Sequence, residues 1–217
     1  MIRAVCFDLD GTLVDTERLQ WQAYRETLLP FGVDIGLDEY RRHWIAVAGG
    51  AEYAQRRYGL AVEPAELKRL KERRYRALIP HAVQPCPGVP AVLERLAPTF
   101  DLVVVTNSTR EETAVILEHL DLARHFAALI TREDYACAKP APDAYRAAAA
   151  RLGRAPAECV VVEDTARGAR AGLDAGMQVL AVPSDLTGDH DFRGCARRLH
   201  GLDEVTVALL RALGGSR

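Results

Sequence analysis

Asp8 and Asp10 stand two residues apart at the end of an apolar run, in Asp8-Leu9-Asp10-Gly11-Thr12. Two carboxylates this close repel unless a shared proton or a cation intervenes. Mg²⁺ suits such a place, because it takes oxygen ligands and bridges to substrate phosphate. One acid can then attack phosphorus while the other moves protons. An acidic turn after a strand is the bland alternative; the apolar lead-in and the sequel Gly-Thr-Leu favour chemistry. Thr106-Asn107-Ser108 offers a hydroxyl and backbone N–H groups that can hold phosphate oxygens, although these are ordinary loop residues too. Lys139 lies in Ala138-Lys139-Pro140-Ala141-Pro142-Asp143, where two prolines stiffen the segment. Its ammonium could neutralise both a nucleophile and phosphoryl oxygens. The alternative is an exposed loop lysine, but the chain has only three lysines, Lys68, Lys71 and Lys139. Glu163-Asp164 follows Cys159-Val160-Val161-Val162. Adjacent acids at the mouth of a buried strand are costly unless a metal or donors satisfy them. Asp164 or Thr165 could cap the next helix, which explains one residue and leaves the pair unexplained.

All four segments need strand ends to position them. Residues 2–9 read as a buried parallel strand, and 102–105, 127–131, 159–162 and 179–182 as further strands. Between them, 89–96, 110–120, 142–152 and 166–175 carry helical patterns, the last closed by Gly176. This alternation predicts an α/β fold with a doubly wound, Rossmann-like parallel sheet, whose ligands bind beyond the carboxyl ends of the strands. Residues 16–80 differ. Stretches 16–29, 37–57 and 64–79 have apolar residues at helical spacing, as in Leu67, Leu70, Tyr75 and Leu78, and no strand. Pro80, Pro85, Pro87 and Gly88 punctuate the end of this insert. The expected organisation is an α/β core domain of residues 1–15 and 82–217 with a helical domain at 16–81. Residues 203–213 read as a final helix, with 214–217 fraying.

Composition excludes several classes. The 217 residues are 49% hydrophobic and 27% charged, with a formal net charge of −2. That balance supplies a core and no general attraction to nucleic acid or an anionic membrane. The five cysteines (Cys6, Cys86, Cys137, Cys159, Cys195) form no C-x-x-C pair, which argues against a disulfide framework or structural zinc. The N-terminus reads as a buried strand and not a signal peptide, and no apolar run reaches membrane-spanning length. The expected compartment is the cytoplasm. The expected partner is a small phosphorylated molecule, with no nucleic acid and no membrane.

Together the four segments resemble the haloacid dehalogenase superfamily of phosphotransferases. The match runs through Asp8-Leu9-Asp10-Gly11-Thr12-Leu13-Val14-Asp15-Thr16, Val105-Thr106-Asn107-Ser108, Lys139-Pro140-Ala141-Pro142-Asp143 and Val162-Glu163-Asp164-Thr165, with Gly168, Ala171 and Ala175-Gly176-Met177. The helical insert, and Pro87-Gly88-Val89 where the chain returns, resemble the branch containing β-phosphoglucomutase, phosphoglycolate phosphatase and phosphonatase. The resemblance implies that Asp8 attacks phosphorus and becomes an aspartyl phosphate, and that Asp10 protonates the leaving oxygen and then activates water. It implies Mg²⁺ held by Asp8, the main-chain carbonyl of Asp10, and Asp164, with Glu163 direct or through water. Thr106, Asn107 and Lys139 would bind the phosphoryl group. The insert would act as a cap that excludes water and chooses the substrate. A monomer or weak homodimer is the expected state.

The expected activity is a Mg²⁺-dependent phosphatase of a small phosphorylated metabolite, with a β-phosphoglucomutase-type phosphosugar mutase as the alternative. Departures weigh between them. The cap stretch Trp44-Ile45-Ala46-Val47-Ala48-Gly49-Gly50 lacks the Lys or Arg that mutase and phosphonatase relatives use, and Gln20 replaces a common cap histidine. Arg41, Arg42, Arg56 or Arg57 are the remaining candidates for a second phosphate. Gly49-Gly50 reads as an interhelical turn or as a close-approach segment. Asp10 and the Glu163-Asp164 pair argue against a metal-free dehalogenase. The order Asp, Thr, Lys, acidic pair argues against a phosphorylated signalling receiver. The full set of side chains argues against an inactive homologue.

Overall fold

The computed structural model describes residues 1–45 and 49–215. The chain opens with strand β1 (Ala4–Phe7), whose side chains are all buried. Helices α1 (Glu17–Leu28), α2 (Leu37–Tyr40), α3 (Gly50–Tyr58) and α4 (Pro64–Ala82) follow, with a π-helical turn at Arg41–Ile45. Then come α5 (Val89–Leu96), β2 (Asp101–Val105), α6 (Arg110–His119), β3 (Ala128–Ile130), α7 (Asp143–Leu152), β4 (Cys159–Glu163), α8 (Ala166–Asp174), β5 (Gln178–Ala181), β6 (Arg197–Arg198) and α9 (Val207–Gly215). Internal contacts divide the chain into Met1–Val14 with Pro85–Arg217, and Asp15–Gln84.

In the first unit the strands form one parallel sheet in the order β3-β2-β1-β4-β5-β6. The β-branched runs of β2 and β4 are buried on both faces, as parallel strands covered by helices require. On one face α7 and α8 press small residues, among them Ala144, Ala148, Ala169 and Ala171, against Cys6, Val103, Val105 and Val161. Small residues are needed there. A Cβ on Gly172 would stand 2.9 Å from Val179 Cγ2 and 3.0 Å from Val161 Cγ2. Gly172→Ala would therefore overpack the helix–sheet contact, a change that costs about 1–3 kcal/mol.

The order of connection reverses at β1, between β2 and β4, which is where this architecture opens a crevice. Phe7 pairs with both Val104 and Val162. The next residues on the three strands are therefore Asp8, Val105 and Glu163. Register alone brings Asp8 beside Glu163.

The unit Asp15–Gln84 is built by helix packing. Leu19, Ala23 and Leu28 of α1 and Leu67, Tyr75 and Ile79 of α4 are its buried stripes, spaced by four, five or eight residues, near multiples of the helical repeat. Tyr24, Tyr40, Trp44 and Tyr53 form a ring cluster, with Trp44 5.7 Å from Tyr24, 5.9 Å from Tyr40 and 5.0 Å from Tyr53.

Three local expectations are corrected. The helix expected over 37–57 is broken. Gly49 is left-handed at φ +95°, and a Cβ on Gly50 would lie 2.0 Å from Trp44 Cδ1, so the indole occupies the space a side chain would need. Gly50 is thus a close-approach glycine; Ala46, Val47 and Ala48 of that stretch lie outside the described residues. Pro80 does not end its helix, which runs to Ala82 and is closed by Val83 N–H donating to Ile79 O. In the last turn a proline forfeits a single ladder bond, less than it costs mid-helix. The final helix includes Gly214 and Gly215, while Leu202–Glu204 is a separate 3₁₀ turn. A Cβ on Gly214 would come within 2.7 Å of Ile2 N, so this glycine lets the last helix lie on the start of the chain. Ser216 and Arg217 lie outside the described residues. Among those described, no helix is long and apolar enough to cross a membrane.

Candidate active site at the ends of β1, β2 and β4

Asp8 is the first residue beyond β1 and is held by its N–H donating to Val162 O at 3.0 Å. Lys139 reaches it from the loop before α7. The Lys139 Nζ donates to Asp8 Oδ1 at 2.6 Å, Glu163 Oε1 at 2.7 Å and Val105 O at 2.8 Å. The side chains of Lys139, Asp8 and Glu163 are only 4%, 11% and 1% exposed, so these ion pairs are little screened.

Glu163 is further tied by Tyr145 Oη–H to Oε1 at 2.9 Å and by Thr165 Oγ1–H to Oε2 at 3.1 Å. Thr165 also caps α8, accepting from Gly168 N at 3.1 Å, so the capping role falls to Thr165 and leaves Asp164 for the site. A Cβ on Gly168 would sit 1.8 Å from Glu163 Oε1; one on Gly11, itself left-handed at φ +84°, would sit 2.4 Å from Asp164 Oδ2. Both glycines keep room for carboxylates. Thr12 Oγ1 donates to Asp164 Oδ1 at 3.4 Å.

The groups following β2 face Asp10. Asp10 Oδ2 accepts from Ser108 Oγ at 2.7 Å and Thr106 Oγ1 at 3.2 Å. Asn107 turns its side-chain oxygen to the Lys139 N–H at 3.1 Å and the Tyr135 hydroxyl at 2.8 Å. The loop that carries Lys139 is therefore latched to the end of β2. Asp8, Lys139, Glu163 and Asp164 lie together, Thr106 and Asp10 lie together, and the Asn107 side chain accepts from the Lys139 backbone N–H.

Burial, and then the neighbouring Glu163, push the Asp8 carboxyl well above the usual aspartate range, against the pull of Lys139. Burial alone would lower the Lys139 ammonium, but Asp8 and Glu163 outweigh it and hold the group above the ordinary lysine value. Lys139 is thus a fixed positive charge. Asp8, Glu163 and Asp164 each present a carboxylate oxygen, all within 4.8 Å of one another. One ammonium does not balance three buried acids, and an all-oxygen set is the kind Mg²⁺ takes. The donor set and the space kept at Gly11 fit such an ion. Its ligands would be Asp8 and Asp164, with Glu163 more heavily engaged by protein donors.

Several residues here had no separate signal in the sequence. Ser108 belongs to the loop Thr106-Asn107-Ser108, but its bond to Asp10 is a matter of loop geometry. Tyr135 and Tyr145 reach the site from outside the four segments that carry its acids, hydroxyls and lysine. Of the cap arginines, Arg42, Arg56 and Arg57 are exposed and Arg41 is half-buried.

A family model described as haloacid dehalogenase-like hydrolase matches residues 2–176. The chain is 32% identical over 181 residues to the fructose-1-phosphate phosphatase YqaB of Escherichia coli, covering 81% of this chain and 94% of that one. It is 33% identical over 193 residues to the β-phosphoglucomutase of Bacillus subtilis, covering 83% of each. A solved structure of a CbbY variant from Rhodobacter sphaeroides, in complex with xylulose-(1,5)bisphosphate, superposes with a TM-score of 0.84 at 28% identity, covering 97% of this chain and 99% of that one.

Proposed function

We propose that this chain, which belongs to the haloacid dehalogenase-like hydrolase family and is a phosphoric monoester hydrolase, is a Mg²⁺-dependent phosphatase of phosphorylated carbohydrates working through a phosphoryl group carried on Asp8. The observation that carries the reading is Lys139 Nζ bonded to Asp8 Oδ1 at 2.6 Å beside the Asp8, Glu163 and Asp164 cluster. A carboxylate oxygen so placed is a nucleophile next to a fixed cation, which is what transfer of a charged phosphoryl group needs.

Asp8 attacks phosphorus, and the bond from phosphorus to the sugar oxygen breaks. Asp10 gives that oxygen its proton. Asp10 then takes a proton from the water that attacks the Asp8-bound phosphoryl group, freeing inorganic phosphate and restoring Asp8. Thr106 and Lys139 hold the phosphoryl oxygens in line. Mg²⁺, when bound, would neutralise the carboxylates and the transferring oxygens.

The carbohydrate class is supported by the names of the relatives, one a fructose-1-phosphate phosphatase and one bound to a sugar bisphosphate. The mutase alternative draws on the β-phosphoglucomutase relative. It is the weaker reading, because Trp44-Ile45-Ala46-Val47-Ala48-Gly49-Gly50 brings no cation for a second phosphate. The same reading keeps the enzyme in the cytoplasm as a monomer or weak homodimer, without nucleic-acid or membrane partners.

The test is phosphate release from a panel of sugar phosphates, including fructose 1-phosphate and β-glucose 1-phosphate, in Mg²⁺ or in EDTA. Release in Mg²⁺ and none in EDTA is expected. Isomerisation without net release would transfer the protein to the mutases, and silence on every sugar phosphate would overturn the carbohydrate assignment.

A further inference from the structure

Lys139 Nζ has four oxygens within 3.0 Å: Asp8 Oδ1, Glu163 Oε1, Val105 O and Tyr145 Oη. An ammonium has three protons. The demand already exceeds the supply before any phosphoryl oxygen arrives. Of the four, the phenol passes its own proton to Glu163 Oε1 at 2.9 Å.

We propose that Tyr145 is a positioning residue for Lys139: its hydroxyl keeps Glu163 Oε1 hydrogen-bonded when the ammonium turns a proton toward the transferring phosphoryl group. This rests on the reading that Lys139 serves such a group, and it extends that reading to a side chain outside the recognised segments. Without the phenol, a proton that Lys139 turns from Glu163 to the substrate leaves Glu163 Oε1 with no donor, and leaving such a group short of donors is expensive. With it, Glu163 Oε1 keeps one donor while the ammonium serves the substrate. The phenol is well placed for this. Tyr145 is 0% exposed and packed by α7 against Cys6, Val105 and Val161, so its hydroxyl cannot swing to solvent. Burial first, and then Glu163 and Asp8, push its pKa upward, so it remains a donor.

The test is Tyr145→Phe, which keeps the ring and removes the oxygen. Only three lysines occur, Lys68, Lys71 and Lys139, so the ammonium ¹⁵N signals of the resting protein can be assigned readily. The Lys139 signal is expected to shift and its protons to exchange with water about tenfold faster, with Lys68 and Lys71 unmoved. With Mg²⁺ and substrate, kcat should fall about tenfold and KM stay within about twofold, the pattern of an interaction made in the transition state. An unmoved Lys139 signal overturns the inference, whether or not the variant is less stable. So does a raised KM at unchanged kcat. Should the variant not fold, the wild type decides: a slowly exchanging phenolic proton with a nuclear Overhauser contact to the Lys139 ammonium is expected, and its absence contradicts the proposal. Wild-type protein silent on every phosphate ester would fail the phosphatase reading instead, while the ammonium comparison would still stand.

Discussion

In the α/β unit four charged side chains, Asp8, Lys139, Glu163 and Asp164, are buried together at the ends of β1 and β4 and in the loop before α7. In the unit Asp15–Gln84 no charged side chain is buried among the described residues. Two of its acids accept from phenols beside the ring cluster: Glu17 from Tyr40 at 3.0 Å, and Glu39 from Tyr53 at 3.2 Å and from Tyr58. Burying a charge is justified only where a partner compensates it. The first unit gathers four buried charges at the ends of β1 and β4, where they partly compensate one another, and the second buries none among its described residues. That difference assigns the chemistry to the first and packing to the second.

The contrast can be broken most sharply at Asp8. Asp8→Asn keeps the shape and removes the nucleophile, so kcat should fall on the order of 10³-fold or more while the fold persists, as checked by circular dichroism. A variant retaining a tenth of wild-type activity would remove Asp8 from the centre of the account. Gly168→Ala comes next. Its Cβ would overlap Glu163 Oε1, displacing a carboxylate that braces Lys139, and a misplacement of that order costs about 10²-fold in kcat. Steady-state kinetics on the purified variant decide this, and unchanged kinetics would mean that Glu163 does not brace the reaction.

Mg²⁺ affinity should vary with pH. The Asp8 pKa is raised, so the metal-free protein keeps that proton to higher pH than an ordinary aspartate would. The ion needs the carboxylate, so binding releases a proton and tightens as pH rises, by up to about tenfold per pH unit until Asp8 is ionised. Calorimetry in buffers of different ionisation enthalpy would show the release. An affinity flat with pH would show that Asp8 is already ionised without the metal. The smallest effect belongs to the helical unit. Glu39→Ala deprives two phenols of their acceptor at a cost of about 1 kcal/mol. The unfolding midpoint should drop by about 2–4 °C, with kcat within about twofold of wild type. A collapse of activity in this variant would blur the contrast between the units.

The α/β architecture was legible because short β-branched runs such as Val103-Val104-Val105 and Val160-Val161-Val162 suit strands buried on both faces, and the helical patterns that separate them favour a parallel sheet. What lay beyond sequence patterning were details set by three-dimensional neighbours. The break in 37–57 depends on the Trp44 indole filling the space above Gly50. The continuation through Pro80 depends on how near the helix end it falls. At the site, Asp8, Lys139, Glu163 and Asp164 stood out because acids and a rare lysine at strand ends are costly without purpose. Tyr145 did not, because a tyrosine on an amphipathic helix reads as core, and only its distances to Lys139 and Glu163 show that its hydroxyl is engaged. The Asn107 side-chain oxygen accepts from the Lys139 N–H and latches that loop, a bond between segments far apart in the chain that sequence patterning does not reveal.

The central claim is that Asp8 carries the phosphoryl group. The direct measurement is an acid-quenched single turnover with a hydrolysed sugar phosphate radiolabelled in its phosphoryl group, followed by peptide mapping. The account predicts transient label on the peptide containing Asp8, in Mg²⁺ and not in EDTA, and none in Asp8→Asn. Phosphate release at full rate with no label on that peptide at any time would contradict it.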